Sequence, residues 1–222
     1  MELTAVEARV LGSLVEKELA TPQQYPLTMA ALVAACNQTS NRDPVVSYDE
    51  DGVSSALDSL KEQRLVRFVL PSHGRSVVRY RNVLDEARAL DVSERALLAV
   101  LLLRGPQTVG ELRARTERMT QFDSLNEVEH ELSLLASLDV PLARKLHRRP
   151  GQKEERWECP CSPAHPAPPE GEGGDEHGEP VLSRSSSSGD RMAEIRVELA
   201  TLRSMVDDLR RDLDALRQSL GE

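Results

Sequence analysis

Leu3-Thr4-Ala5-Val6-Glu7-Ala8-Arg9-Val10-Leu11 can be laid on Leu90-Asp91-Val92-Ser93-Glu94-Arg95-Ala96-Leu97-Leu98, the first sign of an internal repeat. Each stretch opens a helix. Thr4 and Asp91 stand at the N-cap, and Glu7 and Glu94 stand three residues on, where a carboxylate can bond back to the cap's backbone N–H. A shorter helix follows from near Thr28 or Thr108, and a longer one from near Asp49 or Ser124; Thr108/Glu111 and Ser124/Glu127 repeat the capping pattern. The longer helices place Val53, Ala56, Leu57 and Leu60, or Leu125, Val128, Leu132 and Leu135, on one stripe that faces a core.

A β-prone pair around a turn closes each half. Leu65 to Leu70 leads through Ser72-His73-Gly74-Arg75 to Val77-Val78-Arg79-Tyr80, and Leu142 to Leu146 leads through Arg148 to Lys153 into Arg156-Trp157. Three helices and a two-stranded hairpin, found twice, predict a mainly α chain with small β-hairpins, an α+β arrangement of two tandem winged-helix domains over 1–86 and 87–160.

Composition then changes. From 161 to 190 Pro, Gly, Glu and Ser dominate, and the segment reads as a disordered linker with too little apolar surface to offset ordering entropy. Over 191–222 an a/d seam runs through Met192, Ile195, Leu199, Leu202, Val206, Leu209, Leu213, Leu216 and Leu220, the pattern of a C-terminal coiled-coil helix. With Leu199 at a, Glu198 can meet Arg203 and Asp212 can meet Arg217 of a parallel partner, whereas antiparallel pairing sets arginine against arginine. A parallel homo-oligomer is expected, a dimer before a trimer, although Leu at a also permits higher states.

Charge narrows the function classes. The 222 residues carry a formal charge of −9, of which residues 1–158 hold −3, so bulk electrostatic capture of nucleic acid is excluded. Cys36, Cys159 and Cys161 are too few to frame a disulfide-stapled fold, and a reducing compartment, the cytoplasm, is the expected location. The longest apolar run, Leu97 to Leu103, is far short of the roughly 20 residues of a membrane span.

Cys36-Asn37-Gln38-Thr39-Ser40-Asn41-Arg42-Asp43-Pro44-Val45, with Glu16-Lys17 and Thr21-Pro22-Gln23-Gln24-Tyr25-Pro26-Leu27 before it, resembles the YceH-like family of bacterial proteins. Leu101-Leu102-Leu103-Arg104-Gly105-Pro106-Gln107-Thr108 and Gly110-Glu111-Leu112-Arg113 continue the likeness, which covers Leu3 to Trp157. The resemblance implies the tandem winged-helix fold and carries over no biochemical activity. The linker and tail fall outside the shared body, though some members have similar C-terminal helices.

A DNA-reading winged helix presents basic or amide side chains on its third helix. Here those faces offer Asp51, Ser54, Ser55 and Asp58, and Glu127, Glu129, His130 and Glu131. Positive charge sits elsewhere: Arg75, Arg79 and Arg81 on the first hairpin, His147, Arg148, Arg149 and Lys153 on the second, and Arg113, Arg115 and Arg118 around the second short helix. Phosphate contact led by the hairpins is the leading expectation, against the bland alternative that these cations merely solvate the surface. The alternative function is an acidic adaptor for another protein, similar in general layout to the winged-helix subunits of chromosome-condensing complexes.

Asn37, Gln38, Asn41 and Arg42 form a polar cluster that either holds its loop through bonds to nearby backbone or forms a recognition patch, with the loop role favoured. Cys36 falls on the stripe of Met29, Leu32 and Val33 and reads as a core hydrophobe. Cys159-Pro160-Cys161 with His147 and His165 has poor spacing for zinc. No nucleotide loop or catalytic motif occurs, so no cofactor, no metal and no enzymatic activity are expected.

Overall fold

The computed structural model describes residues 2–70, 77–148 and 154–163. The chain divides into Met1–Gly171 and Glu172–Glu222, and the second unit lies outside the described residues. So do the expected linker from 164 on and the whole coiled-coil seam.

In the first half α1 (Ala5–Ala20), α2 (Met29–Cys36) and α3 (Glu50–Glu62) precede an antiparallel hairpin of β1 (Val66–Val69) and β2 (Arg79–Asn82), with a 3-10 turn at Pro22–Gln24. Thr4, Thr28 and Asp49 are the N-caps, each accepting from a backbone N–H three residues on, so the helices start where short polar side chains relieve their orphan donors. The stripe of Val53, Ala56, Leu57 and Leu60 is buried throughout. The second strand begins later than the sequence suggests. Val77 is 59% exposed, and pairing starts at Arg79, with Phe68 opposite Tyr80 in an edge-on ring contact at 5.0 Å.

The second half follows the same order with α5 (Val92–Arg104), α6 (Val109–Thr116), α7 (Leu125–Ser137) and a hairpin of β3 (Arg144–Leu146) and β4 (Arg156–Glu158). Capping boxes close at Asp91/Glu94 and Thr108/Glu111. The expected box at Ser124/Glu127 is corrected: Ser124 accepts from the Glu127 N–H, but the Glu127 carboxylate turns to the Asp123 N–H at 2.7 Å. Leu125, expected on the core stripe, is 48% exposed, because at the first position of α7 it precedes the turn that meets the core.

The correspondence extends to backbone pairing outside the strands. Leu27 exchanges both hydrogen bonds with Tyr80, and Gln107 exchanges both with Trp157, so each hairpin is stitched to the residue that precedes its short helix. A short α4 (Leu84–Arg88), unforeseen from the sequence, bridges the halves across the expected boundary near 86.

The halves share one core along α1 and α5, the first helix of each. The crossing is close at Gly12, which faces Leu102 and Leu103. Leu11, Leu14, Leu97, Leu98 and Leu101 are fully buried along these helices, and each contributes about 1.5–3 kcal/mol by leaving water. Glu18 adds a polar tie, accepting from Asn82 and from Arg95, each at 2.8 Å, and thereby joins α1 to β2 and α5. Among the described residues no helix is long and apolar enough to cross a membrane.

Candidate functional site

The third helices carry acid outward. On α3 Asp51, Ser55 and Asp58 are exposed and Ser54 is half-buried; on α7 Glu129 and His130 are exposed, while Glu127 and Glu131 are half-buried. Burial pushes the Glu131 carboxyl up, and the nearby charges of Asp91 and Glu94 push it the same way.

Six of the hairpin cations among the described residues are bonded within the chain, and His147 and Arg148 are exposed at the end of the described part of the second hairpin. Arg79 donates to the Pro26 carbonyl at 2.8 Å, and Arg81 bonds Glu86, which also accepts from Arg67 at 2.8 Å. On the second hairpin Arg144 pairs with Glu158, Lys145 with Glu155, and Arg156 with Glu111 at 3.0 Å. Lys145, with the charges of Arg148 and His147 behind it, holds the Glu155 carboxyl below its usual range. Arg113 donates to the Phe122 and Asp123 carbonyls at 3.0 and 3.1 Å, which makes it a brace for the loop before α7. Arg75, Arg149 and Lys153 lie outside the described residues, as do the self-association positions Ile195, Leu199, Leu202, Val206, Leu209, Leu213 and Leu216.

The polar cluster after α2 is built into the fold. Arg42, whose side chain is 0% exposed, donates to the Ala35 carbonyl at 2.9 Å and to both Glu16 carboxylate oxygens at 3.2 and 2.6 Å. Burial raises the Glu16 carboxyl, but the bond and charge of Arg42, helped by Lys17, outweigh it and hold the group below its ordinary value. Asn37 exchanges two bonds with the Tyr48 backbone, each 2.8 Å, so a side-chain amide stands where a strand would otherwise pair. Arg9, buried in α1, adds bonds to the Cys36 and Pro44 carbonyls at 3.0 and 2.6 Å. Cys36 is fully buried, and burial pushes its thiol up to about 11, so it is a core side chain and not a nucleophile.

Gln38 and Asn41 are different, because they reach the wall of a cleft of about 370 Å³ that Arg115 and Arg118 line from the other half. Two clusters far apart in sequence therefore meet. The meeting follows from the α1/α5 packing, which sets the C-terminal turn of α1 and the loop after α2 beside the end of α5 and α6. Lys17 and Arg104, quoted above only for the family likeness and given no site role, complete the basic wall. Asn41, in the left-handed region at φ 58°, accepts from Arg104 at 3.0 Å, and Gln38 accepts from Lys17 at 3.3 Å. Burial pushes the Arg104 guanidinium down, reinforced by the charges of Arg115 and Arg42 and opposed by those of Asp43 and Glu111. The signal available in the sequence was positional: Lys17 and Arg104 each stand in the last turn of a helix, where a cation also meets the negative end of the helix dipole.

Cys159 and Cys161 form a disulfide with their Cα atoms 5.4 Å apart, a pairing that the count of three cysteines did not suggest. Among the described residues no group of three or more His, Cys, Asp or Glu is placed to hold a metal ion.

Residues 3–152 match the family described as "Protein of unknown function, DUF480". A UPF0502 protein of Geotalea daltonii is 53% identical over 155 residues, covering 70% of each chain. UPF0502 proteins of Geobacter sulfurreducens and Solibacter usitatus are 46% and 40% identical over 207 and 218 residues, covering 90% of both chains in the first case and 96% and 98% in the second. These longer alignments run past the described body into the tail. The narrower YceH-like name is not in the descriptions of these matches. With both three-helix sets and the cleft-forming residues Lys17, Gln38, Asn41, Arg104, Arg115 and Arg118 inside the matched span, the chain belongs to the DUF480 family, whose bacterial relatives are the UPF0502 proteins.

Proposed function

We propose that the body is a pair of tandem winged-helix domains that serves as a docking module for a protein partner, through the acidic outer faces of α3 and α7 and without direct DNA binding. One observation carries the reading. The faces that a DNA reader would set into the major groove present Asp51, Asp58 and Glu129 to solvent, which would meet phosphates with like charge. Four of the described hairpin arginines, Arg79, Arg81, Arg144 and Arg156, are already bonded within the chain, which lessens what the hairpins can offer a phosphate. This reverses the preference drawn from sequence, where these cations were free to be assigned to phosphate. The proposal includes a non-enzymatic protein that self-associates through residues 192–220 as a parallel coiled coil and keeps the cytoplasmic location, where the Cys159–Cys161 pair would stand reduced.

Affinity capture of the intact chain under nuclease treatment, with mass spectrometry, tests it. A stoichiometric protein partner that survives nuclease and is lost from an Asp51→Arg/Asp58→Arg variant is expected. Anisotropy with a mixed duplex pool should show no saturable binding tighter than about 100 µM at physiological salt, the weak end of non-specific binding. Tighter binding that is lost when Arg148, Arg149 and Lys153 are reversed to Glu would overturn the proposal in favour of DNA contact through the second hairpin.

A further inference from the structure

The cleft between the two halves takes no part in the docking faces. Its wall brings together Lys17 of α1, Arg104 at the end of α5, Arg115 in the last turn of α6 and Arg118 in the turn just beyond it, with the amides of Gln38 and Asn41 among them. In a chain whose formal charge is −9, this is a local reversal of sign. Two carboxylates also line the cleft, Glu16 and Glu117. Glu16 is committed at 2.6 Å to Arg42, which has no exposed side-chain surface, so its charge is cancelled from behind; Lys17 reaches it only at 3.4 Å.

Glu117 stays on the wall against the cations, and the four positive groups Lys17, Arg104, Arg115 and Arg118 outnumber this one carboxylate not committed to Arg42. Arg104 is fixed at 3.0 Å by the neutral Asn41 amide oxygen, and the nearby charges of Asp43 and Glu111 offset part of its own. Arg115 has Glu111 only at 3.6 Å, and Glu111 is shared with Arg156 at 3.0 Å. Arg104 and Arg115 are half-buried and close enough for the charge of one to push the other's guanidinium down, an arrangement whose cost an anion would remove. The volume of about 370 Å³ lies at the small end of the ordinary range for metabolite pockets, and Leu103 and Met119 give the wall apolar surface as well.

We propose that this cleft is a binding site for a small organic polyanion, a metabolite whose two or more negatively charged oxygens are gripped by Arg104, Arg115, Arg118 and Lys17 while its short carbon frame lies on Leu103 and Met119. Phosphoesters and polycarboxylates share this chemistry. The site joins residues of both halves, so its ligand bridges them, and it stands independently of which partner the third helices take.

Titration calorimetry on the full chain tests the site, with inorganic pyrophosphate and citrate as probes at matched ionic strength. Saturable binding of one ion per chain is expected. It should weaken at least tenfold in an Arg115→Gln/Arg118→Gln variant, and separately in Lys17→Gln, a smaller change that guards against loss of the fold. It should be unchanged in Arg144→Gln, which removes an exposed arginine of the second hairpin. Tighter binding of pyrophosphate would assign the site to phosphoesters, and tighter binding of citrate to polycarboxylates; both support it. No saturable heat with either probe, or equal weakening by Arg144→Gln, would overturn it.

Discussion

Gly12 of α1 lies against Leu103 of α5 with no room for a side chain: a Cβ at this position would stand 2.9 Å from Leu103 Cγ and 3.1 Å from Leu102 Cβ. Alanine improves helix propensity by about 1 kcal/mol over glycine, but overpacking a tight crossing costs about 1–3 kcal/mol. Gly12→Ala is therefore expected to be neutral to destabilising by up to about 2 kcal/mol, and Gly12→Val to lose clearly more. Urea midpoints of the two variants against the parent chain check the order.

Arg42 should be among the costliest polar residues to remove. Arg42→Met leaves the Glu16 carboxylate and the Ala35 carbonyl without their buried donor, and loss of one member of a buried pair costs about 3–5 kcal/mol. Arg42→Lys should recover little, because an ammonium cannot bond both Glu16 oxygens as a fork does. Glu16 also sets a pH signature. Its carboxyl is held low in the fold, so the stability it contributes is present above the usual carboxylate pKa of about 4.3 and is lost as pH falls through the lower folded value. The parent chain should lose more stability than Arg42→Met between neutral and strongly acidic pH, read by denaturant titration at each.

Glu131 carries the opposite sign. Its carboxyl is pushed up in the fold, and its Oε2 atom is buried without a partner. The folded chain then binds more protons there than the unfolded one, so the contribution is present below about 4.3 and is lost as pH rises through the folded value. Glu131→Gln is expected to stabilise the protein by about 0.5 kcal/mol near neutral pH, an effect that vanishes in acid. Thermal melts of both chains across that range decide it; a destabilising substitution at neutral pH would contradict the sign.

If residues 192–220 pair as proposed, replacing Leu202 and Leu209 with Asp would set charge into the seam and should abolish self-association. Sedimentation equilibrium on the intact chain and on a chain stopped at Gly189 provides the comparison, and equal mass per particle would show that the tail does not hold the oligomer together.

Features governed by near neighbours were legible in the sequence. Thr4, Asp91 and Thr108 cap through bonds that span three residues, and the α3 stripe follows from one helical period, so neither needs tertiary information. What competes locally was less legible: Glu127 has two backbone N–H groups within reach and takes that of Asp123. The cleft was not legible as a unit. Lys17 and Arg115 belong to different halves, and only the α1/α5 crossing brings them to one wall. Arg42 was readable as part of a special loop but not as buried, because an arginine's burial depends on acceptors contributed by Glu16 and Ala35 that no local pattern announces.

Trp157, the only tryptophan of the chain, is 6% exposed in β4, with Lys145 above its ring and Gln107 paired to its backbone. Its emission is thus a gauge of the second hairpin alone, blind to the first, where Tyr80 holds the corresponding place. Following fluorescence beside circular dichroism during unfolding therefore separates the fate of one hairpin from the helices at large. Coincident curves would report a single cooperative transition across the shared core, and an early fluorescence change would report a hairpin that peels away first.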